Sequence, residues 1–203
     1  MHDSLKNPPT TRAVDAAALR SWLRDVADAD SVLEELIDAA TEFFQDWTGR
    51  ALMTQTRILS LDAWPITADA LGEWDGMREG AISQGSPIAI ELPRSPLASI
   101  AEVRVDGSPI ADIYSEDLLS EPGRIILDQG STWPAPQASA NGIEIEYVAG
   151  YASAALVPAT VKIALKQLAA HFYENREAVT EISLSTAPIG VGRIVQQHKV
   201  VRL

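Results

Sequence analysis

The sequence predicts an α+β chain, in which an antiparallel bundle of three main helices is interrupted by a small antiparallel β domain and followed by an extended C-terminal tail. Three observations carry that reading. A helical stripe of apolar residues runs for more than four turns from Val32 to Trp47. Alternation with period two takes over between about 55 and 150. A second wide helical stripe returns after Pro158. The expected divisions are a flexible arm 1–14, a first bundle segment 15–54, an inserted β domain 55–150 with a long loop 63–86, a second bundle segment 151–180, and an extended tail 181–203.

Each element has a local cause. The first twelve residues are polar and hold Pro8 and Pro9, which suits an arm. Asp15 can cap a helix running to about Val26, since its carboxylate can accept an otherwise free N–H of the first turn, and Leu19, Trp22, Leu23 and Val26 share one face. Ser31 followed by Glu34 fits a capping box, in which each side chain satisfies the other's backbone N–H. Val32, Leu33, Leu36, Ile37, Ala40, Phe43, Phe44 and Trp47 continue that helix, and Gly49 supplies the left-handed residue that stops it. Strands are expected around Ile88–Leu92, Ala101–Val105 and Ile143–Tyr147, with weaker ones at 56–62 and 124–128 and a turn at Asp106-Gly107. One wet face per strand favours an antiparallel sheet. Pro158 fits a first helical turn, where its missing N–H costs nothing. Val161, Ala164, Leu165, Leu168, Ala169, Phe172 and Tyr173 then make a stripe suited to pack on the Val32–Trp47 helix. Beyond Glu177 the chain reads as irregular through Pro188, Gly190 and Gly192, ending in the strand-like Lys199-Val200-Val201-Arg202-Leu203.

Composition narrows the function. The chain has 203 residues, 46% hydrophobic and 22% charged, and a net charge of −12. Without cysteine there is no disulfide, thiolate metal site or cysteine nucleophile. No apolar run approaches the ~18 residues that cross a bilayer, and the N-terminus lacks the apolar core of a secretory signal. Residues 51–150 carry 5 basic and 15 acidic side chains, whereas residues 151–203 carry 6 and 3. An acidic body repels a phosphate backbone, while a basic end suits an acidic partner or a neighbouring copy.

Chemistry-bearing patterns are few. The histidines, His2, His171 and His198, are scattered. No HExxH, GxSxG, Walker or GxGxxG spacing occurs. Asp28 and Asp30 lack the glycine and distal glutamate of a calcium loop. No catalytic, metal or cofactor residue is therefore assigned. Trp64, Trp74 and Trp133 could stack on a sugar or peptide, although roofing the small sheet is the plainer account. His171, beside Phe172 and Tyr173, reads as a packing residue.

Four phrases in order carry a resemblance. They are Thr48-Gly49-Arg50-Ala51-Leu52; Glu91-Leu92-Pro93-Arg94-Ser95-Pro96-Leu97; Tyr147-Val148-Ala149-Gly150-Tyr151 leading to Val157-Pro158-Ala159; and Ala170-His171-Phe172-Tyr173-Glu174-Asn175-Arg176-Glu177. Together they resemble the phage head–tail connector (adaptor) family of the HK97-like type, found also in prophages and gene transfer agents, over roughly residues 15–203. The resemblance implies a structural protein of the virion neck, made in the host cytoplasm. Such a protein forms a dodecameric ring under the portal protein, extends the DNA channel without sequence-specific DNA binding, and presents a platform to stopper or tail-terminator proteins. It implies no enzyme activity, no cofactor and no membrane. Gly49, Arg50, Pro93, Arg94, Gly150, Tyr173, Asn175 and Arg176 are the motif positions, with Arg50 and Arg94 expected to tie the helix end to the β insertion. The basic tail, Arg193, Lys199, Val200, Val201, Arg202 and Leu203, is expected to dock on the portal, so that deleting 190–203 would spare the fold. The alternative is a soluble ligand- or glycan-binding module of such a particle.

Overall fold

A computed structural model describes residues 1–24, 26–65, 89–138, 140–175 and 189–201. Helix α1, Ala16–Trp22, starts where the Ala18 N–H donates to the Asp15 carboxylate at 2.6 Å. It stops short of Val26 because Arg24 turns left-handed, at φ 62°, and the Arg20 guanidinium donates to the Val26 and Asp28 carbonyls at 3.2 and 2.6 Å. Helix α2, Asp30–Thr48, begins with Ala29 at its cap, and the expected Ser31–Glu34 box does not form. Ser31 already lies inside the helix, and Glu34 faces Arg12 at 3.3 Å. Gly49 ends α2 at φ +72°, donating to the Gln45 carbonyl at 2.9 Å. Helix α3, Ala159–Glu174, has Pro158 at its cap, and at its far end the Asn175 amide donates to the His171 carbonyl at 2.9 Å.

The two long apolar stripes meet. Leu33, Ile37, Ala40 and Phe44 of α2 share one buried core with Val161, Ala164, Leu165 and Leu168 of α3, and with Leu19 of α1. A fourth helix, α4 (Ile189–His198), completes this core with Val191 and Val195, both fully buried. The expectation of three helices and an extended 181–203 tail is thus corrected within the described residues. Gly190 and Gly192 argue locally against helix, at about 1 kcal/mol each relative to alanine. Burying two valines, worth about 1.5–3 kcal/mol apiece, outweighs them. For the same reason deleting 190–203 would not spare the fold.

The strands are β1 (His2–Asn7), β2 (Gln55–Leu61), β3 (Ala89–Glu91), β4 (Leu97–Val105), β5 (Ser108–Ile110), β6 (Tyr114–Asp117), β7 (Arg124–Leu127) and β8 (Ile143–Ala149). They form a five-stranded sheet, β1-β2-β8-β4-β5, and a three-stranded sheet, β3-β7-β6, antiparallel throughout. β2 and β8 alternate buried and half-buried side chains without a break. Their inner faces join Val103, Ile90, Leu92, Ile125 and Trp133 in a second core. The arm expected to be flexible is instead the edge strand β1, paired with β2 from His2↔Ser60 to Asn7↔Thr56. An edge strand buries little, so its sequence need not alternate, and backbone pairing holds it. β5 and β6 were also not expected; each is only three or four residues long. The loop expected at 63–86 lies almost wholly outside the described residues.

Candidate functional site

The helical core and the sheet core meet along a polar seam at the C-terminal end of α2. Past Gly49 the chain exchanges backbone bonds with the segment before β4: the Ala51 N–H donates to the Ser95 carbonyl at 2.8 Å, and the Ser95 N–H to the Gly49 carbonyl at 3.3 Å. These bonds fix Arg50 in a buried position facing two other regions of the chain. Its Nε donates to the His198 carbonyl at 2.6 Å, and its two terminal nitrogens donate to the Glu121 carboxylate at 3.0 and 2.5 Å. The Val200 N–H donates to the Thr48 carbonyl at 2.8 Å. One guanidinium thereby holds α2, the turn before β7 and the end of α4.

Arg94 makes the second junction. It donates to the Gln45 carbonyl and the Asp46 carboxylate, each at 2.7 Å, and lies 3.6 Å from Asp3. Asp3, on β1, accepts from Arg57 Nε at 2.9 Å and from the Tyr147 hydroxyl at 2.8 Å. The Gln45 side-chain oxygen accepts from the Leu52 N–H at 2.9 Å and the Gln55 amide at 3.0 Å. Beside this junction a cleft of about 710 Å³ opens between the N-terminal segment and α2, with Arg57 and Arg94 in its wall.

The electrostatics follow from the pairing. Arg50's hydrogen bonds and charge hold Glu121 below the usual carboxylate range, against the opposing effect of burial. Burial and the Arg50 charge push His198 below its ordinary value, partly offset by Glu121. Burial, then the Asp3 charge and hydrogen bond, push Tyr147 strongly upward. A histidine whose folded value is depressed binds its proton more readily when unfolded, so stability is complete at neutral pH. It begins to fall below about pH 6.5, the unfolded value, and continues to fall until the folded value is passed. Glu121 adds a second loss, below about pH 4.5, as its carboxylate is protonated. Urea unfolding followed from pH 7.5 to 3.5 is expected to show both steps, and His198→Gln is expected to remove the upper one.

Truncating Arg50 leaves the His198 carbonyl and the Glu121 carboxylate without their donor. Glu121 is 47% exposed and regains water, so the expected loss lies below that of a sealed pair. We expect Arg50→Ala to cost about 2 kcal/mol, a fall of roughly 4–8 °C in Tm for a chain of this size. A change under 1 °C in a thermal melt would contradict this role.

The remaining positions scatter. Gly150, at φ +112°, lies against the Met53 backbone. The Tyr173 hydroxyl donates to the Asp28 carboxylate, and Asn175 closes α3. Pro93 precedes Arg94, its carbonyl near Gly49. Arg193, Lys199 and Val201 are exposed; Val200 rests against Gly49. Arg176, Arg202, Leu203 and Trp74 lie outside the described residues. Trp64 and Trp133 stack on each other with ring centres 4.2 Å apart, and the Trp64 N–H donates to the Pro134 carbonyl at 2.7 Å. Their faces are used in packing, so neither forms an open stacking platform. Sequence reasoning missed Asp3, Gln45 and Glu121, which no motif marks, and it marked Tyr147 without foreseeing its bond to Asp3. Among the described residues no cluster of three or more His, Asp or Glu could hold a metal ion, and no helix is long and apolar enough to cross a membrane.

No family model and no curated protein matches the sequence. Solved structures do match the fold. A chain of the neck of an empty gene transfer agent particle, computed with C6 symmetry, superposes with a TM-score of 0.76 at 23% identity. A chain of the virion of a native gene transfer agent particle gives 0.74 at 22%. A chain of the neck of the native particle, computed with C12 symmetry, gives 0.69 at 23%. Each match covers 100% of this chain and 97% of the other. The chain therefore shares, from end to end, the fold of proteins found in gene transfer agent particles and their necks.

Proposed function

We propose that this chain is a structural protein of the neck of a phage-like particle, a head–tail adaptor that assembles as a ring of about twelve copies under the portal protein. The end-to-end fold correspondence with chains of gene transfer agent neck structures carries this reading. In this role the ring extends the DNA channel and joins it to stopper or tail proteins. A net charge of −12 suits a wall past which DNA must slide, since contacts that release counterions would hold it. The two cores, joined by the Arg50 and Arg94 seam, give a rigid unit. We assign portal docking to the basic end of the chain from Lys199 onward, where Lys199 and Val201 are exposed.

The test is electron microscopy of particles from cells with and without the gene. The expected result is a neck layer that disappears, leaving filled or empty heads without tails. Unchanged necks would refute the proposal. In binding assays with portal rings, removing 201–203 is expected to abolish attachment without lowering Tm, because Val201 is 65% exposed and the α4 core residues remain.

A further inference from the structure

Among the described residues, one face of α3 and one of α2 are apolar and exposed, and they differ in charge. On α3 the face opposite the core carries Ile163, 41% exposed, continued by Leu156, 61% exposed, and flanked by Lys162 and Lys166. On α2 a side face carries Val32, 37% exposed, Ala39 and Trp47, 39% exposed, flanked by the exposed Glu35 and Glu42. Residues three and four apart on a helix are neighbours. Lys166 therefore stands beside Ile163, with Lys162 one turn before Lys166, while Glu35 stands beside Val32 and Ala39 and Glu42 beside Ala39.

We propose that these faces are the two halves of one interface between copies of this chain, the lysine-flanked α3 face of one copy docking on the glutamate-flanked α2 face of the next. The occupant follows from charge complementarity: a face of apolar residues beside lysines fits one of apolar residues beside glutamates, and both lie on the same polypeptide. Because the halves are different surfaces, the contact is heterologous, and repetition closes a ring or runs on as a filament. Opposed lysines or opposed glutamates would disfavour the isologous alternatives. This inference rests on the ring proposed above and names the surfaces that build it.

Charge exchange tests it on the purified full-length chain, by light scattering at rising protein concentration. Glu35→Lys with Glu42→Lys gives a chain with two basic faces, and Lys162→Glu with Lys166→Glu gives one with two acidic faces. Each double variant alone is expected to self-associate at least about tenfold more weakly than wild type. An equimolar mixture of the two is expected to recover assembly, since every contact again pairs opposite charges. Glu35 and Glu42 are exposed, whereas Lys162 and Lys166 are half-buried, with the Lys166 ammonium 5.7 Å from the Trp22 ring centre, so melting curves beside wild type will establish that the variants fold. The absence of natural cysteine allows a second readout: Ile163→Cys with Ala39→Cys is expected to yield an oxidised ladder of oligomers, whereas either single variant yields none. Failure of the mixture to recover assembly, or disulfide dimers from a single variant, would overturn the interface. Neither result would touch the neck proposal, which stands or falls on the particle with and without its gene.

Discussion

Replacing Gly150 by alanine is expected to be the most damaging single-methyl change in the molecule. A Cβ there would stand 2.3 Å from the Met53 carbonyl oxygen, 2.5 Å from its carbon and 2.9 Å from the Thr54 nitrogen. All three are backbone atoms, and that backbone is fixed: the Thr54 N–H donates to the Tyr151 carbonyl at 3.2 Å, while the Gly150 N–H donates to the Pro96 carbonyl at 2.9 Å. Relief requires breaking the bridge through which β8 passes into the helical region. We expect a loss of about 4–5 kcal/mol, seen as insoluble protein or a Tm lower by roughly 8–20 °C. Gly130→Ala isolates the backbone contribution. Its φ is +85°, but nothing lies within 4 Å of the added carbon, so about 1 kcal/mol is expected. Equal melting temperatures for the two variants would show that the close approach at Gly150 does not matter.

These contrasts explain what could be read from the sequence. The stripes of α2 and α3 and the alternation of β4 and β8 were legible because each element buries one face, and burial writes its period into the residues. Asp15 and Gly49 were legible because capping is local. Two elements were not. β1 is polar and lies at an edge, so its existence depends on β2, which is paired with it across about fifty residues. α4 contains two glycines that oppose helix, and only the core waiting for Val191 and Val195 overrides them. The seam was only half legible: the sequence drew attention to Arg50 and Arg94 but gave no sign of Asp3, Glu121 or the His198 carbonyl. Those partners lie 71 to 148 positions away from these arginines along the chain, and spacing rules do not reach that far. The resemblance to a phage neck family rested on four ordered phrases, and the matches to gene transfer agent neck chains agree with it at the level of fold.

The aromatic residues of α2 separate folding from assembly, and this gives the second large effect. Phe44 is fully buried at the meeting of the helical stripes. Phe44→Ala removes a ring from a close-packed site that can relax only incompletely, so about 3–5 kcal/mol should be lost. That is a large share of the ~5–15 kcal/mol that holds a typical protein together, and we expect Tm to fall by roughly 6–20 °C. Three residues on, Trp47 presents its ring edge-on to Phe43 and is 39% exposed. Trp47→Ala forfeits only a fraction of a contact that water already shares, so about 1 kcal/mol or less is expected. If the α2 side face binds a neighbouring copy, Trp47→Ala will nevertheless weaken self-association strongly, because aromatic anchors dominate interface energetics. Phe44→Ala, measured well below its lowered Tm, will weaken it little. Both variants therefore need a melting curve and a concentration series. A Trp47→Ala chain that melts and associates like wild type would remove the side face from the interface and leave the fold untouched.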